Sequence, residues 1–128
     1  MNTLQAEEYC LSLPLATEDM PFDEDVLVFR VSGKIFALTS LSARPMRISL
    51  KCDPDLAIRL REKYRAVEPA YHMNKKHWNQ IALQSDLSDE QICKLIHHSY
   101  CLIIKKLPAS VRKVEPLASV CDELIEEW

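Results

Sequence analysis

The sequence predicts an α+β domain, a two-layer sandwich in which helices cover one face of a mainly antiparallel sheet. Three observations lead to this prediction. Short segments rich in β-branched residues alternate with helical patterns, the helical patterns begin with capping residues, and a Ser-Gly pair joins two adjacent apolar segments. At 128 residues, 48% of them hydrophobic, the chain has the size and composition of one domain with a single core.

The N-terminal segment predicts a helix and then an acidic loop. Asn2 or Thr3 can cap the first helix, because a side-chain oxygen there accepts hydrogen bonds from free backbone N–H groups. Pro14 ends that helix, since proline lacks the N–H that a helix interior needs. We expect residues 13–25, which include two prolines and five acids, to form a loop.

Three strands are expected next. Residues 26–31 and 34–39 are rich in apolar and β-branched side chains, and Ser32-Gly33 between them tolerates the positive φ angles of a hairpin turn. A third strand runs from Met46 to Cys52, where apolar and polar side chains alternate between two faces. The alternation puts one set of side chains on a solvent-facing strip: Arg47, Ser49 and Lys51.

Two further helices have clear start signals. Asp53-Pro54 is an N-cap followed by proline at the first helical position, and we expect this helix to continue to Pro69. A strand near residues 77–83 follows it. A capping box with Gln91 then opens the next helix, which we expect over Ser88–Lys106, packed centrally on the sheet.

The C-terminal segment is amphipathic. We divide the chain into a domain over residues 1–113 and an extension over residues 114–128. Apolar residues repeat at helical spacing in the extension: Leu117, Val120, Cys121, Leu124, Ile125 and Trp128. We therefore expect a helix over residues 117–128 that packs on the same domain; the alternative is a contact with a protein partner or with a second copy in a homodimer.

Cysteine usage and hydropathy predict a cytoplasmic protein. The five cysteines contain no C-x-x-C pair, so we expect reduced thiols, most of them small core residues: Cys10, Cys52, Cys93, Cys101 and Cys121. No apolar run approaches the roughly 20 residues of a membrane span, so we expect no membrane contact. The first ten residues contain two glutamates and no lysine or arginine, unlike a signal peptide.

Charge is strongly segregated along the chain, although the net charge is only −3. Residues 1–25 carry seven acids, residues 114–128 carry five, and neither segment contains a lysine or arginine. Residues 26–113 hold all 16 bases and seven acids, a balance of +9. A concentration of cations on part of a domain attracts polyanions even when the total charge is negative. A solvated surface with acidic ends is the alternative interpretation.

The densest cluster of cations, imidazoles and aromatic rings is Tyr71-His72-Met73-Asn74-Lys75-Lys76-His77-Trp78. Lysines supply charge for phosphates, and the amide and imidazoles can hydrogen-bond to phosphates or bases. The candidate nucleic-acid-binding residues are Lys34, Arg47, Lys51, His72, Asn74, Lys75, Lys76 and His77. Tyr71 and Trp78 can stack on exposed bases, but for Trp78 we favour burial in the core, because it begins an alternating strand.

Three blocks of the sequence together resemble the MmcQ/YjbR family: Lys51-Cys52-Asp53-Pro54, the segment 71–78, and Ser99-Tyr100. The resemblance runs from about residue 3 to residue 113. It implies a small bacterial domain with a frataxin-like (CyaY-like) fold that is described as DNA-binding. The motifs identify the relatives without naming a chemistry.

We expect no enzyme activity, no cofactor and no metal. Ser99-Tyr100 has no nucleophile elbow or glycine turn near it, so we interpret the pair as packing residues. His97 and His98 point about 100° apart on a helix and cannot easily share a metal. Frataxin-like proteins bind iron through an acidic ridge on the first helix and edge strand, whereas residues 18–25 fall in the predicted loop.

Three functions remain open on the sequence. The first, which we favour, is a non-enzymatic bacterial domain that binds nucleic acid, in particular double-stranded DNA, through phosphates without reading base sequence. The second is a protein-interaction or regulatory module that uses the acidic loop and the C-terminal helix. The third is a weak metal binder related to frataxin. A contiguous positive surface favours the first, scattered cations the second, and converging carboxylates the third.

Overall fold

The fold, taken from a computed structural model that describes residues 1–121, has helices and strands in the predicted alternation. The helices are α1 (Thr3–Ser12), α2 (Pro54–Lys63), α3 (Asp89–Lys105) and α4 (Ala109–Arg112). The strands are β1 (Ala16–Asp19), β2 (Val26–Val31), β3 (Lys34–Ser40), β4 (Arg47–Lys51), β5 (Val67–Pro69) and β6 (Trp78–Ala82). They form one antiparallel sheet in the order β1-β2-β3-β4-β6-β5. The predicted α+β sandwich is confirmed.

The hydrophobic core lies between the helices and one face of this sheet. Phe29 of β2 and Ile48 of β4 are fully buried there, packed with Leu60 of α2 and Ile96 of α3. Burial of these apolar side chains is the main driving force for packing the two layers. We call the opposite side of the sheet the outer face. It carries the alternate residues of each strand, as the sequence predicts for β4.

The predicted hairpin between β2 and β3 is confirmed. Its two turn residues, Ser32 and Gly33, have φ angles of 49° and 79°. Positive φ at both central residues defines the turn whose twist matches that of the flanking strands. The pairing shifts register between Phe29 and Arg30, which leaves Phe36 as an extra residue on β3. This bulge turns the Phe36 ring into the core.

Strand β1 corrects the expectation of a loop over residues 13–25. Residues 16–19 pair with β2, with Ala16 opposite Val31 and Asp19 opposite Val28. Three of the four β1 side chains are exposed, so the strand has no alternation of apolar residues for a sequence pattern to detect. Backbone hydrogen bonds to β2 hold it in the sheet.

Helix α2 ends at Lys63, earlier than the predicted end at Pro69. The carboxylate of Asp86 accepts hydrogen bonds from the backbone N–H groups of Arg65 and Ala66, both at 2.8 Å, and these bonds lower the pKa of Asp86. They turn the chain out of the helix. Val67, which falls within the predicted helix, lies instead in β5, where it is buried opposite Ile81.

Helix α3 matches its prediction to within a residue at each end. Both hydrogen bonds of the capping box form: the Gln91 N–H donates to Ser88 Oγ at 3.1 Å, and the Ser88 N–H donates to Gln91 Oε1 at 2.9 Å. The α1 N-cap is Asn2, also in a capping box. Among residues 1–121, none of the helices combines the length and hydropathy needed to cross a bilayer.

The C-terminal segment differs from its prediction in two respects. Residues 115–121 form consecutive turns where we expected the start of a helix, and the expected helix over residues 122–128 lies outside the described residues. The expectation of reduced thiols is wrong for Cys101 and Cys121, which form a disulfide. The number of cysteines in a sequence does not show whether any two of them form a disulfide, or which two. Cys10 and Cys52 are free and buried, and Cys93 is free and partly exposed.

Candidate nucleic-acid interface

A shallow groove crosses the outer face. Its floor is one row of residues on neighbouring strands: Leu38, Ser49, Gln80 and Glu68. The groove has a volume of about 530 Å³, and residues 70–73 form one of its walls. Of the predicted site residues it contains Arg47 and His72, which approach it from β4 and from the wall.

The charge in this groove is mixed. Arg47 and His72 share it with Asp25 and Glu68. Hydrogen bonds from the Ser40 hydroxyl and from Ser42 lower the pKa of Asp25, so that carboxylate stays ionised near neutral pH. The groove alone is therefore not a cationic site, and any polyanion has to be held mainly by charges outside it.

The loop between β5 and β6 is organised around Asn74. Its backbone oxygen accepts from the N–H groups of His77 and Trp78 at 3.1 and 2.9 Å. Its side-chain oxygen accepts from the N–H of Lys76 at 3.0 Å. That oxygen is thus occupied within the loop. The side chains of Lys75 and Lys76 are exposed to solvent. The ammonium of Lys75 lies 5.3 Å from the centre of the Tyr71 ring.

Arg61 of α2 connects this loop to the helical layer through hydrogen bonds. Its Nε donates to Asn79 Oδ1 at 2.7 Å, and one terminal nitrogen donates to the backbone oxygens of Lys75 and Trp78. A guanidinium is suited to this because its planar donors have a fixed geometry. The sequence gives no signal for this role of Arg61, because nothing in the α2 pattern shows which residues it contacts 14 to 18 positions later.

The four predicted lysines gather at one end of the sheet. Because neighbouring strands are antiparallel, β3 and β6 begin where β4 ends. Lys51 is the last residue of β4, and the N–H of the next residue, Cys52, donates to the backbone oxygen of His77 at 2.7 Å. Lys75 and Lys76 immediately precede His77, so they lie near Lys51. We call this region the cationic end and define it by Lys34, Lys51, Lys75, Lys76 and Lys106. Arg47 and His72 do not belong to it and line the groove.

Lys106 was not among the predicted site residues, yet it lies beside Lys51. The pKa of Lys51 is lowered to about 8. Partial burial is the larger cause, and the neighbouring Lys106 ammonium is the second. Within residues 1–121, neither lysine lies within salt-bridge distance of a carboxylate. Two adjacent cations without a described carboxylate partner repel each other, and an anion bound between them relieves that repulsion.

The acids of the N-terminal segment lie elsewhere. Glu18 and Asp19 are on β1, at the edge of the sheet farthest from β5 and β6. Residues 23–25 precede β2, at the end of the sheet where β4 begins, opposite the cationic end. Residues 23–25 are therefore separated from the cationic end, although Asp25 shares the groove with Arg47 and Asp19 is paired with Arg30.

The two aromatic residues of the segment 71–78 are not core anchors. Tyr71 is 59% exposed. Trp78 pairs with Lys51 and is half-buried, and because Asn79 next to it is buried in the core, strand alternation directs Trp78 to the outer face. The preference for burying Trp78 in the core is therefore wrong, and both rings stand on the side that carries the groove.

Ser99 and Tyr100 hold the fold together, as predicted. The Ser99 hydroxyl donates to the Phe36 carbonyl at 2.6 Å, and the Tyr100 hydroxyl donates to the Pro14 carbonyl at 2.6 Å. Burial raises the pKa of Tyr100 to about 12, so the side chain stays a protonated phenol near neutral pH. His98 accepts from the N–H of Asp53, and its burial lowers its pKa.

The acidic residues near α1 are closer together than the sequence suggested. Glu18 lies on an edge strand instead of in a loop, and a hydrogen bond with Glu7 of α1 raises the pKa of Glu18. Two carboxyl groups thus meet between the first helix and the edge strand. In the described residues, no third metal-ligating side chain joins them.

A two-layer α+β domain with this sheet is found in solved structures. The chain resembles protein DR2400 from Deinococcus radiodurans, with a TM-score of 0.82 and 35% identity over 88% of this chain and 86% of that one. It also resembles a protein from Pseudomonas syringae, with a TM-score of 0.69 and 33% identity over 80% of this chain and 98% of that one.

The family follows from sequence comparison. The YjbR family model matches residues 11–102. The chain is 33% identical over 114 residues to YjbR of Escherichia coli (strain K12), covering 89% of this chain and 97% of that protein. It is 34% identical over 102 residues to YbdF of Escherichia coli O157:H7, covering 80% and 84%. The protein belongs to the YjbR family, which confirms the resemblance that its motifs indicated.

Proposed function

We propose that this protein binds nucleic acid, in particular double-stranded DNA, through phosphates at the cationic end and along the outer face. The observation that carries the proposal is the distance between the cationic end and the acids of residues 23–25. They lie at opposite ends of β4, a strand of five residues that is about 17 Å long. That exceeds the Debye length of about 8 Å at physiological salt, so these three acids weaken the attraction only slightly, and the carboxylate of Asp19 is already paired with Arg30.

The type of cation supports contact with phosphates and not with base edges. Lysine is a mobile point charge that suits phosphate oxygens, whereas reading a guanine edge usually takes a bidentate arginine. The paired ammoniums of Lys51 and Lys106 gain from a shared anion. Tyr71 and Trp78 on the same side add surfaces on which unstacked bases can stack. We therefore expect affinity with little sequence preference.

Binding without catalysis is part of the proposal. Both hydrogen-bonding functions of the Ser99 hydroxyl are used by backbone groups of β3 and β4. The Tyr100 phenol is bonded to a backbone carbonyl. Neither group is available to attack a substrate, so we assign no reaction to the pair.

The test is a titration of fluorescent duplexes of two unrelated sequences at several salt concentrations, with fluorescence anisotropy as the measurement. Replacing Lys75 and Lys76 by alanine should weaken binding to both duplexes about equally. Each lost phosphate contact should flatten the log–log salt dependence by about 0.9, so the pair should flatten it by up to about two. The matched control replaces Lys63 and Lys94, which lowers the net charge equally but lies away from the cationic end.

The outcomes separate the alternatives. Equal losses from the two double variants would show a response to net charge alone and would overturn the assignment of the cationic end. Absence of binding to duplex and single-stranded DNA at low salt would reject the proposal as a whole. Tighter binding to single strands than to duplexes would support the same binding surface but would make single-stranded nucleic acid its target.

A second candidate is a protein-interaction module at the β1 edge of the sheet. Four large apolar side chains are exposed in the loops near this edge: Leu15 precedes β1, Met20 and Phe22 follow it, and Leu41 follows β3. Phe22 is 65% exposed within an acidic segment. Exposed apolar side chains beside an unpaired strand edge suit a protein partner better than a polyanion. Loss of binding to a protein partner in Phe22→Ser, with DNA affinity unchanged, would support this function.

A further inference from the structure

Two sulfurs and an imidazole meet where α3 contacts the C-terminal segment. Cys101 follows His97 by one helical turn, and its Sγ lies 3.6 Å from Nε2 and 3.9 Å from Nδ1 of His97. Cys121 brings the second sulfur from 20 residues away, with the two Cα atoms 5.7 Å apart. The ligand atoms of the three residues all lie within 4.8 Å of one another.

Packing keeps Cys121 at α3 independently of the disulfide. Leu117 is only 3% exposed and belongs to the core, and Val120 packs against that core. The backbone oxygen of Val120 is 2.9 Å from His97 Nε2. Two anchors thus lie within four residues of Cys121, so cleavage of the sulfur–sulfur bond leaves the thiol beside its former partner.

The distances suit a tetrahedral metal ion. Zinc binds sulfur at about 2.3 Å and imidazole nitrogen at about 2.0–2.1 Å, and a tetrahedron with those bonds has a sulfur–nitrogen edge of about 3.6 Å and a sulfur–sulfur edge of about 3.8 Å. Nδ1 of His97, the nitrogen that does not contact Val120, already lies 3.9 Å from Cys101 Sγ, about 0.3 Å beyond that sulfur–nitrogen edge. Once the disulfide opens, the two sulfurs are free to separate to the required edge.

The histidine is oriented for coordination. If Nε2 carries the proton and donates it to Val120 O, the lone pair of Nδ1 is available to a metal. Metal-binding histidines usually donate their second ring N–H to a carbonyl or carboxylate in this way, which fixes the tautomer and the ring. The contact with Val120 is therefore of the kind that supports a ligand.

We propose that the reduced protein binds one Zn²⁺ through His97, Cys101 and Cys121, and that formation of the disulfide abolishes this site. A dithiol reductant supplies two electrons and two protons, the sulfur–sulfur bond breaks, and the reductant becomes a disulfide. Zn²⁺ then binds both sulfurs as thiolates, with release of their two protons. Three protein ligands leave one tetrahedral position for water or another ligand.

The choice of zinc follows from the donor set. Thiolate and imidazole together favour zinc over calcium and magnesium, which take oxygen ligands. In the cytoplasm that the sequence predicts, thiols are kept reduced, and the metal form would then be the resident one. Spacing along the chain does not indicate this site, because His97 and His98 are adjacent and no spacing rule pairs Cys121 with α3.

The experiment titrates Zn²⁺ into reduced and oxidised full-length protein in competition with a chromophoric chelator. Reduced protein should bind one equivalent, and oxidised protein should bind none. Cys121→Ser and His97→Ala should weaken reduced binding by more than the roughly 10- to 100-fold that outer contacts contribute. Cys93→Ser is the matched control, a partly exposed free thiol on α3 outside the cluster, and should bind like the parent.

Cobalt substitution supplies an independent readout, because two thiolate ligands give intense near-ultraviolet charge-transfer absorption. Failure of the reduced protein to bind Zn²⁺ would overturn the proposal. So would a Cys93→Ser loss as large as that of Cys121→Ser, since it would indicate non-specific thiol binding. Circular dichroism checks each variant's fold. Should Cys121→Ser unfold, the comparison of reduced with oxidised parent protein still decides the result.

Discussion

The Ser99 hydroxyl joins α3 to the two central strands, and its removal tests how the layers are held together. It donates to the Phe36 carbonyl at 2.6 Å and accepts from the Lys51 N–H at 2.9 Å, and the side chain is fully buried. The ladder between β3 and β4 ends one residue earlier, at Ala37 and Leu50. The hydroxyl therefore bridges the Phe36 carbonyl and the Lys51 N–H, which would otherwise form the next hydrogen bond of the ladder. Ser99→Ala leaves both backbone groups without a hydrogen-bond partner.

The magnitude follows from those two groups. A hydrogen bond contributes about 1 kcal/mol net, and a buried backbone group left unpaired costs about 1–3 kcal/mol. We expect Ser99→Ala to lower the free energy of unfolding by about 2–4 kcal/mol, a large share of the roughly 5–15 kcal/mol typical of a domain. At roughly 4 °C per kcal/mol for a chain of this length, Tm should fall by about 8–16 °C.

Urea unfolding followed by circular dichroism measures the change. The matched control is Ser12→Ala, whose hydroxyl also donates to a carbonyl, that of Tyr9 at 2.6 Å, but in an exposed position. We expect that control to stay within about 0.5 kcal/mol of the parent. If Ser99→Ala lost no more stability than Ser12→Ala, the two strands would have closed on each other with a direct hydrogen bond, and the Ser99 hydroxyl would not be needed to join them.

Two further stability predictions rest on single contacts, beside the lysine and zinc experiments above. Tyr100→Phe leaves the Pro14 carbonyl without its partner and should lower the free energy of unfolding by about 1–2 kcal/mol, with an unchanged urea m-value. Asp86→Asn loses one of two acceptors for backbone N–H groups. Because the folded-state pKa of Asp86 is lowered, the parent's advantage over Asp86→Asn should be complete at pH 7 and shrink as pH falls below the ordinary carboxyl pKa, measured by urea unfolding at several pH values.

Local signals in the sequence predict much of this fold. The capping box at Ser88 defines the start of α3, and the Ser32-Gly33 pair defines the hairpin, because each rests on contacts within a few residues. Alternation in β4 predicts which face Arg47 and Lys51 occupy. The sequence also identifies the loop lysines as site candidates, since a run of cations is visible without a structure.

What sequence reasoning missed depends on contacts between distant residues. Strand β1 exists through backbone pairing with β2, which leaves no side-chain pattern to detect. Arg61 reaches residues 14 to 18 positions later, and Lys51 meets Lys106 only because α3 ends near the end of β4. The partnership of Cys101 with Cys121 depends on how a chain of turns folds back on α3. None of these pairings has a spacing rule.

Adjacent residues of α3 reach back to the earliest parts of the chain: Ser99 bonds to a residue 63 positions earlier, and Tyr100 to one 86 positions earlier. During translation, β1 to β4 leave the ribosome before either hydroxyl has been synthesised. At about 5–20 residues per second, the interval between Leu50 and Tyr100 lasts roughly 3–10 s. Over that period the nascent sheet has no helix α3 to cover its apolar face, and this is when the chain is most exposed to chaperones and to association with other nascent chains.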